Sequence, residues 1–192
     1  MNSPRKFGKS VSLISIATLI SVTSATAIAK KPEPEFYTGT ATLCALIDPW
    51  SVTSETKGKQ GVTYTCDEVL IFRIETDSPV VTGWEVLRSN SKSPEGHGGY
   101  RWGEAALTPD LGTGTLVDEF KFPITQEDSI RGTYHGNGDY AGMAVDYALS
   151  PFTVGLPACD ADEVEALCAD AAYGCVPVPP GIGYYISGVI LE

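Results

Sequence analysis

Three charged side chains stand where strand alternation would place apolar ones. Glu68 lies between Cys66 and Leu70, Arg88 continues the face of Trp84 and Val86, and Asp118 lies between Leu116 and Phe120. Charge on an inward face is costly unless paired. An arginine with two carboxylates there therefore implies an internal polar cluster that orients a small-molecule ligand or acts in acid-base chemistry. The plain alternative is a bulge, or a wet barrel mouth, that turns each one to solvent. Beyond this trio the chain points to no catalytic residue. It contains no Gly-x-Ser-x-Gly, and its two histidines, His97 in the loop from Ser89 to Gly99 and His135 beside a turn, read as solvated.

The five cysteines, at 44, 66, 159, 168 and 175, include no Cys-x-x-Cys pair, and two histidines are too few for a closed Cys/His cage. Neither a metal nor another cofactor is implied, and disulfides are the expected use. Cys44 and Cys66 are symmetric about residue 55, the middle of a polar loop from Asp48 to Gln60, so a hairpin places them side by side. Their opposite strand parity requires a bulge or twist for that bond. Near the other end, Cys159 and Cys175 are expected to close an excursion at about residues 157–181, with Cys168 left as the odd thiol.

Disulfides need an oxidising compartment, and the first 29 residues supply the route. Arg5, Lys6 and Lys9 precede the apolar stretch Val11 to Val22, and Ala25-Thr26-Ala27-Ile28-Ala29 offers small-residue cleavage sites. Residues 1–29 read as a signal peptide and residues 30–192 as one domain, exported to the periplasm or beyond. The apolar stretch falls short of the roughly 20 residues that span a bilayer. Cleavage removes three basic residues and no acidic one, so the net charge moves from −11 to −14. That balance disfavours nucleic acid and anionic lipid surfaces as partners.

The elements that must position the trio are short strands. Runs rich in Thr, Val, Ile, Tyr and Phe, broken by Gly, Pro, Asn and Asp, give eight: Tyr37 to Ile47, Gly61 to Glu75, Val80 to Arg88, Gly99 to Leu107, Thr113 to Ile124, Ser129 to Gly136, Tyr140 to Ser150 and Ile182 to Leu191. Alternation puts Val62, Tyr64, Cys66, Leu70, Phe72 and Ile74 on one face of the second, and Ala141, Met143, Val145, Tyr147 and Leu149 on one face of the seventh. Half-buried strands joined by short turns predict an all-β fold, a small antiparallel barrel of about eight strands. An outer-membrane barrel needs a continuous outward apolar band, whereas the second faces carry Asp67, Arg73, Glu75 and Asp146. The one helix, Asp160 to Ala172, opens on Asp160 as its cap and falls in the insertion before the last strand.

Asn137-Gly138 is the dipeptide of a two-residue type I′ turn, and it predicts a tight hairpin between strands six and seven. Three stretches, Thr76-Asp77-Ser78-Pro79-Val80-Val81-Thr82-Gly83, Gly96-His97-Gly98-Gly99-Tyr100-Arg101-Trp102-Gly103 and Gly132 to Met143, together with the closing Ile186-Ser187-Gly188-Val189-Ile190-Leu191, carry a wider pattern. In this order they resemble a loose group of exported bacterial small β-barrel proteins of unassigned activity. The resemblance implies a barrel of the allene oxide cyclase-like or calycin-like type over about Asp77 to Ala148 and the last ten residues. It carries over no catalytic residue. The cysteine-containing acidic insertion departs from the pattern.

Three functions follow from such a barrel. The leading one is binding of a small apolar or amphipathic ligand, or a structural role, outside the cytoplasm. The second is a cyclase or isomerase working in the lumen, and the third is an interaction protein that uses the acidic insertion. An open apolar cavity marks the first, and convergent ionisable groups with displaced pKa values mark the second.

Overall fold

The computed structural model describes residues 33–47, 53–57, 62–94, 98–124, 130–170 and 175–192. The chain divides between Lys31 and Pro32, and the signal-peptide expectation falls outside the described residues, as does His97. Eleven strands and one helix follow: β1 Glu35–Ile47, β2 Thr53–Lys57, β3 Val62–Thr76, β4 Gly83–Pro94, β5 Tyr100–Pro109, β6 Leu116–Pro123, β7 Arg131–Gly136, β8 Ala144–Leu149, β9 Thr153–Val154, α1 Ala161–Asp170, β10 Cys175–Pro177 and β11 Ile182–Leu191.

Eight of these strands form the expected closed antiparallel barrel. The order β11-β8-β7-β6-β5-β4-β3 is a run of neighbours, and β1 joins its two ends by pairing with β11 through Glu35–Thr42 and with β3 through Gly39–Ile47. The short strands β2, β9 and β10 extend β3, β11 and β1 beyond the wall.

Period-two alternation then sorts side chains into lumen and exterior. One end of the lumen is filled by apolar residues, with Tyr37, Ile74, Val81, Leu107, Leu116 and Val145 at most 1% exposed. Over that end, two loops clasp each other. Asp139 accepts from the backbone N–H and hydroxyl of Thr113, which holds its carboxyl below the ordinary range, and the Tyr140 hydroxyl donates to the Leu111 carbonyl. The Asn137-Gly138 hairpin differs from expectation here. Asn137 is extended (φ −132°), only Gly138 takes positive φ (61°), and a single 3-10 turn, Gly138–Tyr140, precedes Gly142. The link is a seven-residue loop rather than a type I′ pair, because Tyr140 is drawn into the barrel end.

Two bulges reset the alternation. In β3 the register with β4 slips between Thr65 and Glu68, so the six-residue face expected from Val62 to Ile74 is split. Glu68, Leu70, Phe72 and Ile74 line the lumen, whereas Tyr64 sits opposite Lys92 on the exterior, the Lys92 Nζ lying 5.6 Å from its ring centre. In β1 the register with β3 slips between Leu43 and Ala45. Ala41 and Leu43 face inward before the slip and Leu46 after it, and the extra residue is Cys44, which turns to the exterior.

That exterior patch is where the insertion docks. Asp160 caps α1 by accepting from the backbone N–H groups of Asp162 and Glu163, as its sequence predicts. The helix lays Val164 and Leu167 over Cys44, Ala45, Ile71 and Trp84. A disulfide joins Cys44 to Cys159. This corrects both expected bonds: Cys44 does not pair with Cys66, and Cys159 does not pair with Cys175. Cys168, expected as the odd thiol, is itself disulfide-bonded. Hairpin symmetry failed for Cys44 because the β1 bulge points it away from the lumen and under the helix.

The Cys44–Cys159 bond closes a loop across a sequence separation of 115. In the chain-entropy account, a loop of this size contributes about 5 kcal/mol. Replacing Cys159 by Ser should lower Tm by on the order of 10 °C, and non-reducing peptide mapping should recover residues 44 and 159 in one cross-linked fragment. Recovery of Cys44 joined to Cys66 would sink the assignment.

Candidate functional site

Above the filled end the lumen opens into a cavity of about 460 Å³, within the usual range for small-molecule sites. Its wall is apolar, with Leu43, Leu70, Phe72, Leu87, Phe120 and Phe122 contributed by four strands. Phe152 and Tyr184 meet edge to face, ring centres 5.3 Å apart, and Phe152 remains 53% exposed. Two polar groups interrupt this wall at different depths.

The deeper group is a pair of carboxyl–phenol contacts. Glu85 of β4 accepts a 2.5 Å hydrogen bond from the Tyr134 hydroxyl of β7. Two strands, β5 and β6, separate these in the wall, so the bond crosses the lumen. Alongside it, the Tyr147 hydroxyl of β8 donates to Asp118 of β6 at 2.8 Å, and the two tyrosine rings lie 4.7 Å apart. The second contact passes over β7 at Gly132, where a Cβ would collide with both the Asp118 carboxylate and the Tyr147 hydroxyl. Glycine there leaves the space that the pair occupies.

Burial sets the electrostatics of this layer. It pushes the Glu85 carboxyl up to about 7, assisted by the Asp118 charge and opposed by the Tyr134 hydrogen bond. It also raises Asp118, against the Tyr147 hydrogen bond and the nearby His135. The Tyr134 and Tyr147 phenols are raised for the same reason and stay protonated donors.

The second group lies farther along the strands. Glu68 of β3 accepts from Ser89 of β4 and Arg101 of β5, both at 2.8 Å. Arg101 stands six residues from Leu107, the β5 neighbour of Glu85, which is roughly 20 Å of strand. Glu68 and Arg101 are each about one quarter exposed. The Arg101 Nε is buried and has no hydrogen-bond partner among the described residues.

The structure thus places two of the three sequence candidates inside, though not together. Glu68 faces the cavity with a cation at its side, and Asp118 is buried behind Tyr147. Arg88 is a correction: it is exposed on the outer wall. Its face includes Trp84, which looked inward by composition but is buried against the outside by α1 and by Arg73, whose guanidinium lies 5.3 Å from the ring centre and is clamped by Asp110. The inward face of β4 is Glu85, Leu87 and Ser89. Arg101 fills the role expected of Arg88, and its signal was the alternation Arg101, Gly103, Ala105, Leu107. Glu85 left no comparable sign, since its face is the less apolar one of β4. His135 is exposed, and no group of three His, Cys, Asp or Glu able to hold a metal occurs among the described residues. Compared with protein-family models, curated proteins and solved structures, the chain matches none.

Glu85 should dominate a pH dependence of stability. The unfolded chain ionises it near its ordinary value of 4.5, while the folded chain holds the proton to about 7. Unfolding between these values releases a proton, so the contribution of neutral Glu85 is complete below pH 4.5, declines as pH rises toward 7 and is flat above. The decline is on the order of 3 kcal/mol. Urea titrations across that window should show Glu85→Gln losing most of the slope; an unchanged slope would mean that Glu85 titrates normally.

Proposed function

We propose that this protein is an exported binder of a small amphipathic molecule, which it holds in the lumen of the barrel. The observation that carries the reading is the cavity itself, about 460 Å³ of space behind a predominantly apolar wall, in a barrel whose opposite end is packed shut. A purely structural barrel of eight strands fills its interior with side chains. The two polar groups at separate depths supply orientation rather than bulk affinity, the usual division of labour in such sites. Export is supported by the Cys44–Cys159 bond, by the second cysteine pair that includes Cys168, and by the basic, apolar and small-residue order of residues 1–29. No helix among the described residues is long and apolar enough to cross a membrane.

Filling the cavity is the direct test. Leu87 lines it and is partly buried, so Leu87→Trp should occupy ligand volume without adding charge. Fluorescence titration with N-phenyl-1-naphthylamine should give uptake by the unaltered protein and roughly tenfold weaker uptake by the variant, with far-UV circular dichroism unchanged. Absence of uptake by the unaltered protein refutes the reading.

The cross-lumen Glu85–Tyr134 bond favours a second reading, an isomerase. A carboxylate with its pKa near neutrality takes a proton from the carbon beside a carbonyl, a phenol hydrogen-bonds the developing enolate oxygen, and the carboxyl returns the proton to the same or the conjugate carbon. No co-reactant is needed. In D2O, a ketone held in the lumen should exchange its α-hydrogens faster with the protein than without it, and Glu85→Gln should abolish the difference. Equal exchange with and without protein removes this reading and leaves the binder.

A further inference from the structure

We propose that the lumen selects an uncharged amphipathic molecule whose head accepts a hydrogen bond, a ketone or ester carbonyl being the simplest, and that the Nε–H of Arg101 is the donor that receives it. The inference rests on the lumen being a binding site and states what that site binds.

Arg101 belongs to the inward face of β5 with Gly103, Ala105 and Leu107, and it lines the cavity. Its Nη1 is committed to Glu68 at 2.8 Å, with Ser89 at 3.5 Å. Its Nε is buried and lacks any acceptor among the described residues. Buried donors in native proteins are almost always satisfied, and since no described residue supplies the acceptor, the head of a bound molecule is the group that completes this site. The charge balance around the cavity decides which kind. Among the described residues that line it, the charged pair is Glu68 and Arg101, while the Glu85 carboxyl is buried and becomes negative only near neutral pH. Glu68 already matches the charge of Arg101. A carboxylate head would therefore bring a further negative charge beside Glu68 and into the same low-dielectric space as Glu85, at a desolvation cost that nothing offsets. An ammonium head carries no acceptor for the Nε–H. A carbonyl takes that hydrogen bond, leaves the ion pair intact and keeps its apolar body against Leu70, Phe72, Leu87 and Phe122.

The test is displacement of N-phenyl-1-naphthylamine from the oxidised protein at neutral pH by four compounds of similar length: 2-undecanone, undecane, undecanoate and undecylamine. The ketone should displace the probe at roughly tenfold lower concentration than each of the other three. Arg101→Lys keeps a cation opposite Glu68 but has no Nε–H at that position, so the ketone should fall to the level of undecane, while Arg88→Lys, on the outer wall, should leave its advantage in place. The ranking of the four compounds on the unaltered protein needs no variant to fold. Undecanoate binding best would make Arg101 an anion anchor, and undecylamine binding best would make a carboxyl the anchor; either overturns the inference. So does loss of the ketone advantage in Tyr134→Phe but not in Arg101→Lys, which would put the carbonyl at the deeper polar layer. A probe that does not bind at all removes the lumen as a site, and a probe displaced equally by ketone and undecane leaves the binder but no polar selection.

Discussion

β1 is the strand on which the barrel closes. It pairs with β11 along its first half and with β3 along most of its length, and without it the other seven barrel strands would be an open sheet with two unpaired edges. A single extra residue in this strand does two things at once. The bulge at Cys44 lets β1 keep an apolar inner face on both sides of the slip, Ala41 and Leu43 before and Leu46 after, and it swings the cysteine outward to where Cys159 anchors the insertion. Wall closure, cavity lining and docking of the helix therefore share one irregularity. Bulges turn up at such places because a strict period of two cannot serve an inner and an outer partner on the same strand.

The interior is layered along the barrel axis. Apolar side chains fill one end, the carboxyl–phenol layer follows, and the cavity lies beyond it. The middle layer is expensive because two carboxyls are taken out of water within range of each other, and the protein meets that cost by giving each a phenol donor and by leaving Glu85 uncharged up to about neutral pH. A hydrogen bond across the lumen also ties β4 to β7, strands that the sheet does not make neighbours. Opposite walls of the barrel are fixed relative to each other at the level where the cavity begins, which gives any molecule above them a rigid base.

Alternation made most of the wall readable from the chain. The barrel class, the cap at Asp160 and the inward positions of Glu68 and Asp118 all follow from local pattern. What alternation does not carry is which of two mixed faces points inward. On β4 the apolar content of Trp84 and Val86 outweighs that of Leu87, yet the Trp84 face is buried from the outside, by a helix nearly 80 residues later in sequence. For that reason Arg88 lies outside and Glu85 inside, the reverse of what the apolar content of the two faces suggests. The disulfides failed on a related point. Sequence symmetry about a hairpin is a statement about neighbouring strands, whereas Cys44 finds its partner through the exterior of the barrel, after the bulge has changed the side it faces. The turn at Asn137-Gly138 shows a third limit, since the demand of Tyr140 for a buried place lengthens a loop that local preference alone would make short.

The pairing of Glu35 with Ile190 sets the order in which this molecule can assemble. Consecutive antiparallel partners from β3 to β8 are close in sequence and pay little loop entropy to meet. The β1–β11 seam is different, because it joins the two most distant strands of the fold and nothing in between can substitute for it. Until β11 has been made and docked, the first part of β1 lacks its second neighbour and β8 offers a bare edge, the kind of exposed strand that pairs with other chains. High contact order of this sort makes folding slow, and the cysteine in β1 faces outward with its partner on the insertion. The bond from Cys44 to Cys159 therefore tethers the insertion that precedes β11 to the strand that β11 must reach, and shortens the chain that the seam has to close.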